Sequence, residues 1–178
     1  YWIGTRDKGV YLCDNQMNII SHFTRESKNM PLNNNNITSI YEDTQKQIWI
    51  GSKYGVNKIN LRENEVLSFT SENSKLSNNT VRCLVEWQGK LLVGTFDGIF
   101  ALDPESGQIV KVAGYDDINH SLSHYSIYAF CVDHDHTLWV GTFAGGINYL
   151  NKFTNRFVLH RPEDELNIRT GIYGAITY

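Results

Sequence analysis

No apolar stretch of this 178-residue chain approaches the roughly 20 residues needed to span a bilayer, and its longest hydrophobic runs are strand-sized. No membrane contact is expected of this segment. Basic excess is also missing. Sixteen Lys and Arg stand against 19 Asp and Glu, for a formal net charge of -3, which excludes the positive footprint that holds a phosphate backbone. Nucleic acid is therefore not expected as a direct partner. Cysteine is scarce: Cys13, Cys83 and Cys131 are odd in number and far apart in apolar, strand-like text, so buried free thiols are expected rather than a disulfide framework. No window sustains a helical period. Catalytic signatures are absent as well: there is no nucleophile elbow, Walker loop, dinucleotide fingerprint or His-Glu-x-x-His. What remains is a chain with 41% hydrophobic residues, enough to bury a sizeable core.

The chain does contain a repeat. Trp2-Ile3-Gly4-Thr5, Trp49-Ile50-Gly51-Ser52, Leu92-Val93-Gly94-Thr95 and Trp139-Val140-Gly141-Thr142 recur with their glycines 47, 43 and 47 residues apart. Four or five residues after each of these glycines, a second glycine opens an apolar alternation at Gly9, Gly55, Gly98 and Gly146. A further short apolar segment precedes each of the last three copies (residues 37–41, 81–85 and 127–131), and another follows every copy (19–24, 66–71, 109–113 and 157–160). Short alternating runs bounded by Asn, Asp, Gly and Ser clusters read as hairpin-linked strands.

The class expected is all-β. A four-stranded unit of 43 to 47 residues that buries its faces only against neighbouring copies fits a β-propeller blade, giving about four blades of four antiparallel strands. With strands labelled a to d and the Trp-Ile-Gly-Thr strand as b, blade 1 holds strands b to d over 1–24. Blades 2, 3 and 4 cover 37–71, 81–113 and 126–160, and a final strand a is placed at 171–178. Because Tyr1 falls inside a motif, an excerpt of a larger propeller is expected, rather than four blades closed by a strand from each end.

The stretch from Asn36 to Asp43 and on to Ile48-Trp49-Ile50-Gly51-Ser52, followed by Gly55-Val56-Asn57-Lys58-Ile59-Asn60, resembles the two-component regulator propeller repeat. Departures occur in the third copy, where Leu92 replaces the tryptophan and the turn Trp87-Gln88-Gly89-Lys90 is one residue shorter. The resemblance implies the periplasmic sensor region of a bacterial hybrid histidine kinase of the Bacteroidetes type, part of an inner-membrane protein that acts as a homodimer. It implies no cofactor and no chemistry in this segment.

In such a blade the motif tryptophans Trp2, Trp49 and Trp139 share a face with their glycines, and packing between blades is favoured over sugar stacking. By analogy with other propellers, the b–c and d–a loops gather at one mouth of the channel. The b–c loops supply the candidate ligand-binding residues Arg6, Asp7, Lys53, Tyr54, Phe96, Asp97 and Phe143, an aromatic and charged mixture suited to an oligosaccharide. The alternative is ordinary surface loop. Asparagines in the d–a loops, such as Asn33 to Asn36, are expected to satisfy turn backbone. Asp133-His134-Asp135-His136 has the residue types of a metal site, but it aligns with the turn at Asp43 and is expected to be an exposed hairpin turn; no metal site is expected. The function expected is a non-catalytic, ligand-sensing segment that biases dimer geometry. The alternatives are a dimerisation module without its own ligand, or a polysaccharide hydrolase or lyase using paired carboxylates.

Overall fold

The computed structural model describes residues 1–114 and 122–160, and it is all β, with no helix among the described residues. Strands β1 (Trp2–Gly4), β2 (Val10–Cys13) and β3 (Ile19–Phe23) form a three-stranded sheet. Strands β4 (Ile37–Glu42), β5 (Ile48–Ser52), β6 (Gly55–Asn60) and β7 (Glu65–Phe69) form the second sheet. The third comprises β8 (Val81–Trp87), β9 (Lys90–Thr95), β10 (Gly98–Leu102) and β11 (Ile109–Ala113). The fourth comprises β12 (Ile127–Val132), β13 (Leu138–Thr142), β14 (Gly146–Asn151) and β15 (Arg156–His160). Every pairing is antiparallel and joins sequence neighbours, so each sheet is the simple meander of a propeller blade. The segment 171–178, expected as a last strand, lies outside the described residues.

The chain divides into two compact units, 1–84 and 85–178, with the division falling inside β8. Within the first unit the period-2 alternation of β5 sorts its side chains. Ile48 and Ile50 point to one face and join Val10, Phe23, Met30, Leu32 and Ile59 in a buried cluster, with Trp2 and Ile37 packed against it. This is the sheet-on-sheet contact that a lone four-stranded unit lacks. Trp49 and Gly51 point to the opposite face, where a Cβ added at Gly51 would stand 2.8 Å from Val81 Cγ1 of β8. The motif glycine therefore lets the first strand of the following sheet lie close against β5.

The a–b, b–c and c–d connections are tight turns held by short polar side chains. Asp14, Asp43, Asn60, Asp103, Asp133 and Asn151 each accept backbone N–H bonds from residues two to four further on. Lys46 and His136 adopt left-handed φ of 63° and 57°, and each closes its turn by donating its N–H to the carbonyl of Asp43 or Asp133.

Candidate functional site

The b–c turns have a common base. The hydroxyl that ends each motif, on Thr5, Ser52, Thr95 and Thr142, donates to the carbonyl of Gly9, Gly55, Gly98 and Gly146 at 2.9 to 3.1 Å. The same oxygen accepts a turn N–H from Lys8, Tyr54 and Asp97 in the first three copies. The motif thus fixes the backbone on which the variable residues between its glycines stand.

The d–a loops are tied to this base. Leu32 and Leu76 are buried and anchor the first two. The Gly9 N–H donates to Asn35 O at 3.0 Å and the Gly55 N–H to Asn79 O at 2.7 Å, while the Lys53 N–H donates to Asn36 O at 3.2 Å. One loop therefore joins the b–c turns of two successive sheets. Its asparagines act on backbone: Asn34 Oδ1 accepts from Asn36 N–H and Asn35 Oδ1 from Arg25 N–H, and Asn78 and Asn79 repeat both bonds with Thr80 and Ser71. In the third loop His124 Nδ1 accepts from Ser126 N–H in the place taken by asparagine elsewhere.

Beneath the loops lie two buried asparagines that the sequence reading missed. Asn57 and Asn148 are both 0% exposed. Asn57 Oδ1 accepts from the Asn33 N–H and its Nδ2 donates to Asn33 Oδ1, which lies 2.9 Å from Ser52 Oγ as an alternative acceptor for that hydroxyl. Asn148 makes the same pair of bonds with the Ser123 N–H and Oγ, and Ser123 Oγ meets Thr142 Oγ1 at 3.1 Å. The signal for it was the polar residue two places after the second glycine in copies two and four, where copy three has Phe100. A buried amide with its partners in place specifies one loop position and resists alternatives.

The seven candidate residues from the sequence fall as follows. Arg6 and Asp7 are exposed at the turn between β1 and β2. Lys53 and Tyr54 are exposed between β5 and β6, and the Tyr54 hydroxyl donates to Glu72 of the next d–a loop, which pushes the phenol up from its ordinary value. Phe96 is 48% exposed, and Asp97 beside it forms an ion pair with Lys111 at 3.7 Å. Phe143 is 38% exposed and stands in a small aromatic group: Tyr128 stacks on it at 5.7 Å and His124 meets its edge at 5.8 Å, with Tyr125 stacked on His124 at 4.5 Å. The structure joins Lys53 and Tyr54 to one d–a loop each, by a backbone bond and a side-chain bond, and joins Phe143 to its aromatic neighbours. In each sheet these residues lie at the end opposite the a–b and c–d turns.

At that opposite end, the motif tryptophans do more than fill space. Trp49 Nε1 donates to Asp43 Oδ2 at 2.8 Å and Trp139 Nε1 to Asp133 Oδ2 at 2.7 Å. Asp133 of the Asp-His-Asp-His turn is thus engaged by an indole and by the Thr137 N–H, and the turn is further held by Trp87 Nε1 and Lys152 Nζ on the carbonyls of His136 and Asp135. Among the described residues, no group of three or more His, Cys, Asp or Glu converges as metal ligands. The third copy lacks the tryptophan and the aspartate together, having Leu92 and the turn Trp87-Gln88-Gly89-Lys90.

The Trp139 indole N–H, and then the Thr137 N–H, hold the Asp133 carboxyl below the usual carboxylate range. A depressed pKa means that the folded state favours the ionised form. The stabilisation is therefore complete above the ordinary value of about 4 and is lost as pH falls through the lower folded value. In an acid titration by NMR, the Trp139 indole proton should move with a midpoint below that ordinary value. A midpoint at or above it would contradict the bond.

Residues 31–54 and 121–144 each match the two component regulator propeller family. Two segments of the chain are thus similar to this propeller repeat. The two matched segments are those that contain an Asp–Trp pair, and each runs from the end of a d–a loop through the a–b hairpin into the b–c turn. Histidine kinase P4 of Formosa agariphila is 26% identical over 161 residues, covering 88% of this chain and 12% of that protein. The chain therefore spans about an eighth of that relative's length. Among solved structures, the extracellular domain of the putative hybrid two component system BT4673 from B. thetaiotaomicron superposes with a TM-score of 0.71 at 23% identity, covering 89% of this chain and 23% of that one. The corresponding domain of BT3049 from the same organism gives 0.70 at 23% identity, with 88% and 20% covered. Both likenesses are of fold, and they agree with the blade meanders described above.

Proposed function

We propose that this chain is an extracytoplasmic, non-catalytic sensor segment of a two-component signalling protein, which binds an oligosaccharide at its b–c and d–a loops and relays occupancy to a histidine kinase. The observation that carries the binding reading is the division of labour in these loops. Motif hydroxyls, glycine N–H groups and buried asparagines fix the backbone, while the side chains presented outward are aromatic or charged: Tyr54, Phe96 and Phe143 with Arg6, Asp7, Lys53 and Asp97. Rigid supports with exposed rings suit a polar ligand with apolar faces, because the ring contributes area with little loss of side-chain freedom. The similarity to a histidine kinase and to extracellular domains of hybrid two-component systems supports the signalling context. Relay would follow from a dimer in which one geometry binds ligand better than the other.

Calorimetric titration with a panel of oligosaccharides tests this. Saturable binding without cleavage is expected, weakened roughly three- to tenfold by Tyr54→Ala or Phe143→Ala, since each removes one stacking contact. Release of new reducing ends would replace the sensor with a hydrolase or lyase. Silence across the panel from a protein of dimeric mass would favour a dimerisation module.

A further inference from the structure

The second sheet carries a cleft at the end away from the b–c turns, with a volume of about 520 Å³, within the size range of small-molecule sites. Its floor is apolar: Ile48 and Ile59 are buried and paired in register on β5 and β6. One wall is the a–b turn, whose backbone is pinned by Asp43 Oδ1 accepting from the Gln45 and Gln47 N–H groups. The other is the c–d turn, pinned by Asn60 Oδ1 accepting from the Arg62 and Glu63 N–H groups. Both walls are therefore preformed, and a ligand would not have to order them.

The lining holds two groups that both donate and accept, the carboxamides of Gln45 and Gln47, while that of Asn60 is engaged within its own turn. Gln47 Oε1 is buried and has no donor, and its Nε2 makes one long bond of 3.3 Å to Gln45 Oε1, so turning this amide into the cleft sacrifices little. The charges on the rim are unequal in their commitments. Lys46 is paired with Glu42 at 2.7 Å, and Glu63 accepts from Asn60 Nδ2 at 2.7 Å. The Arg62 guanidinium has no partner among the described residues and is exposed at the mouth. An unpaired guanidinium presents a planar fork suited to a carboxylate.

We infer that this cleft is a second binding site, for a small hydroxylated carboxylic acid the size of one sugar acid. Arg62 would take the carboxylate and the carboxamides of Gln45 and Gln47 the hydroxyls, above a floor closed by Ile48 and Ile59. The site is independent of the ligand proposed for the b–c loops, because it sits at the other end of the sheet and shares no residue with them.

Glucuronate and glucose, which have the same ring and differ in one carboxylate, are titrated into the 178-residue chain and observed by ligand NMR. Saturable binding of glucuronate is expected, at least about tenfold tighter than glucose, since a charge-assisted bond to arginine supplies that difference. Arg62→Gln, a change at an exposed turn position with circular dichroism checking the fold, should abolish the preference. Tyr54→Ala, at the opposite end, should leave it unchanged. Equal binding of the two sugars, no saturable binding at about 1–10 mM, an unaltered preference in Arg62→Gln, or loss of binding in Tyr54→Ala would each overturn the assignment. Failure of this test leaves the oligosaccharide titration above standing on its own result.

Discussion

Trp49→Ala is expected to lower the unfolding free energy by about 3–5 kcal/mol, the range for removing a fully buried aromatic ring. The ring is 0% exposed, stands 6.2 Å from Phe69, and has the Lys58 ammonium 5.1 Å from its centre. Its loss also strips Asp43, itself buried, of the indole donor at 2.8 Å, leaving one carboxylate oxygen without a protein partner. Urea denaturation followed by circular dichroism measures the change. Trp49→Phe separates the two contributions: it keeps most of the ring and removes the N–H, so a loss of about 1–3 kcal/mol is expected from the unsatisfied carboxylate. If Trp49→Ala cost under about 1 kcal/mol, within the ordinary range of mild substitutions, the ring would not be the anchor described here.

Gly55→Ala is the second severe change, with an expected cost of roughly 3 kcal/mol or more from strained backbone and overpacking together. Gly55 has φ of 100°, which L residues rarely adopt, and an added Cβ would stand 2.2 Å from the carbonyl oxygen of Phe69 on β7. A backbone atom has no rotamer by which to escape, so β7 must move away from β6. Gly89→Ala is the control: its φ is 71°, but nothing lies within 4 Å of the added Cβ, so it should cost only about 1–2 kcal/mol, for the left-handed conformation alone. Equal losses in the two variants would show that conformation, and not the approach of β7, sets the requirement for glycine at Gly55. Because Gly55 N–H also holds Asn79 O, the b–c and d–a loops should loosen in the same variant, and any oligosaccharide binding with them.

Much of the fold is legible in the chain because strand structure is a local code. The alternation in Ile48-Trp49-Ile50-Gly51-Ser52 and the turn glycine at Gly55 follow from side-chain period and φ, both set within a few residues. The same text held a signal that the sequence reading did not use. Asp43 and Asp133 each precede a motif tryptophan by six residues, and the copy with Leu92 lacks both members. The metal-like turn at Asp133 becomes intelligible once its carboxylate is seen on Trp139. The candidate loop residues were less legible. That Tyr54 would find Glu72, 18 residues on, depends on how a d–a loop folds back over the b–c turn.

By itself, then, the sequence determined the all-β class, the meander of each sheet and the hydroxyl and glycine that frame every b–c turn. Each of these rests on hydrogen bonds and dihedral preferences between near neighbours. The tertiary structure alone decided that Asn57 and Asn148 would be buried as partners of loop residues 24 and 25 positions away, that Val81 would need the space left by Gly51, and that two turns of the second sheet would enclose a cleft with Arg62 at its mouth. Those outcomes depend on the packing of one sheet on another and on loops that return across it, and no local period in the chain records which side chains such a return will bring together.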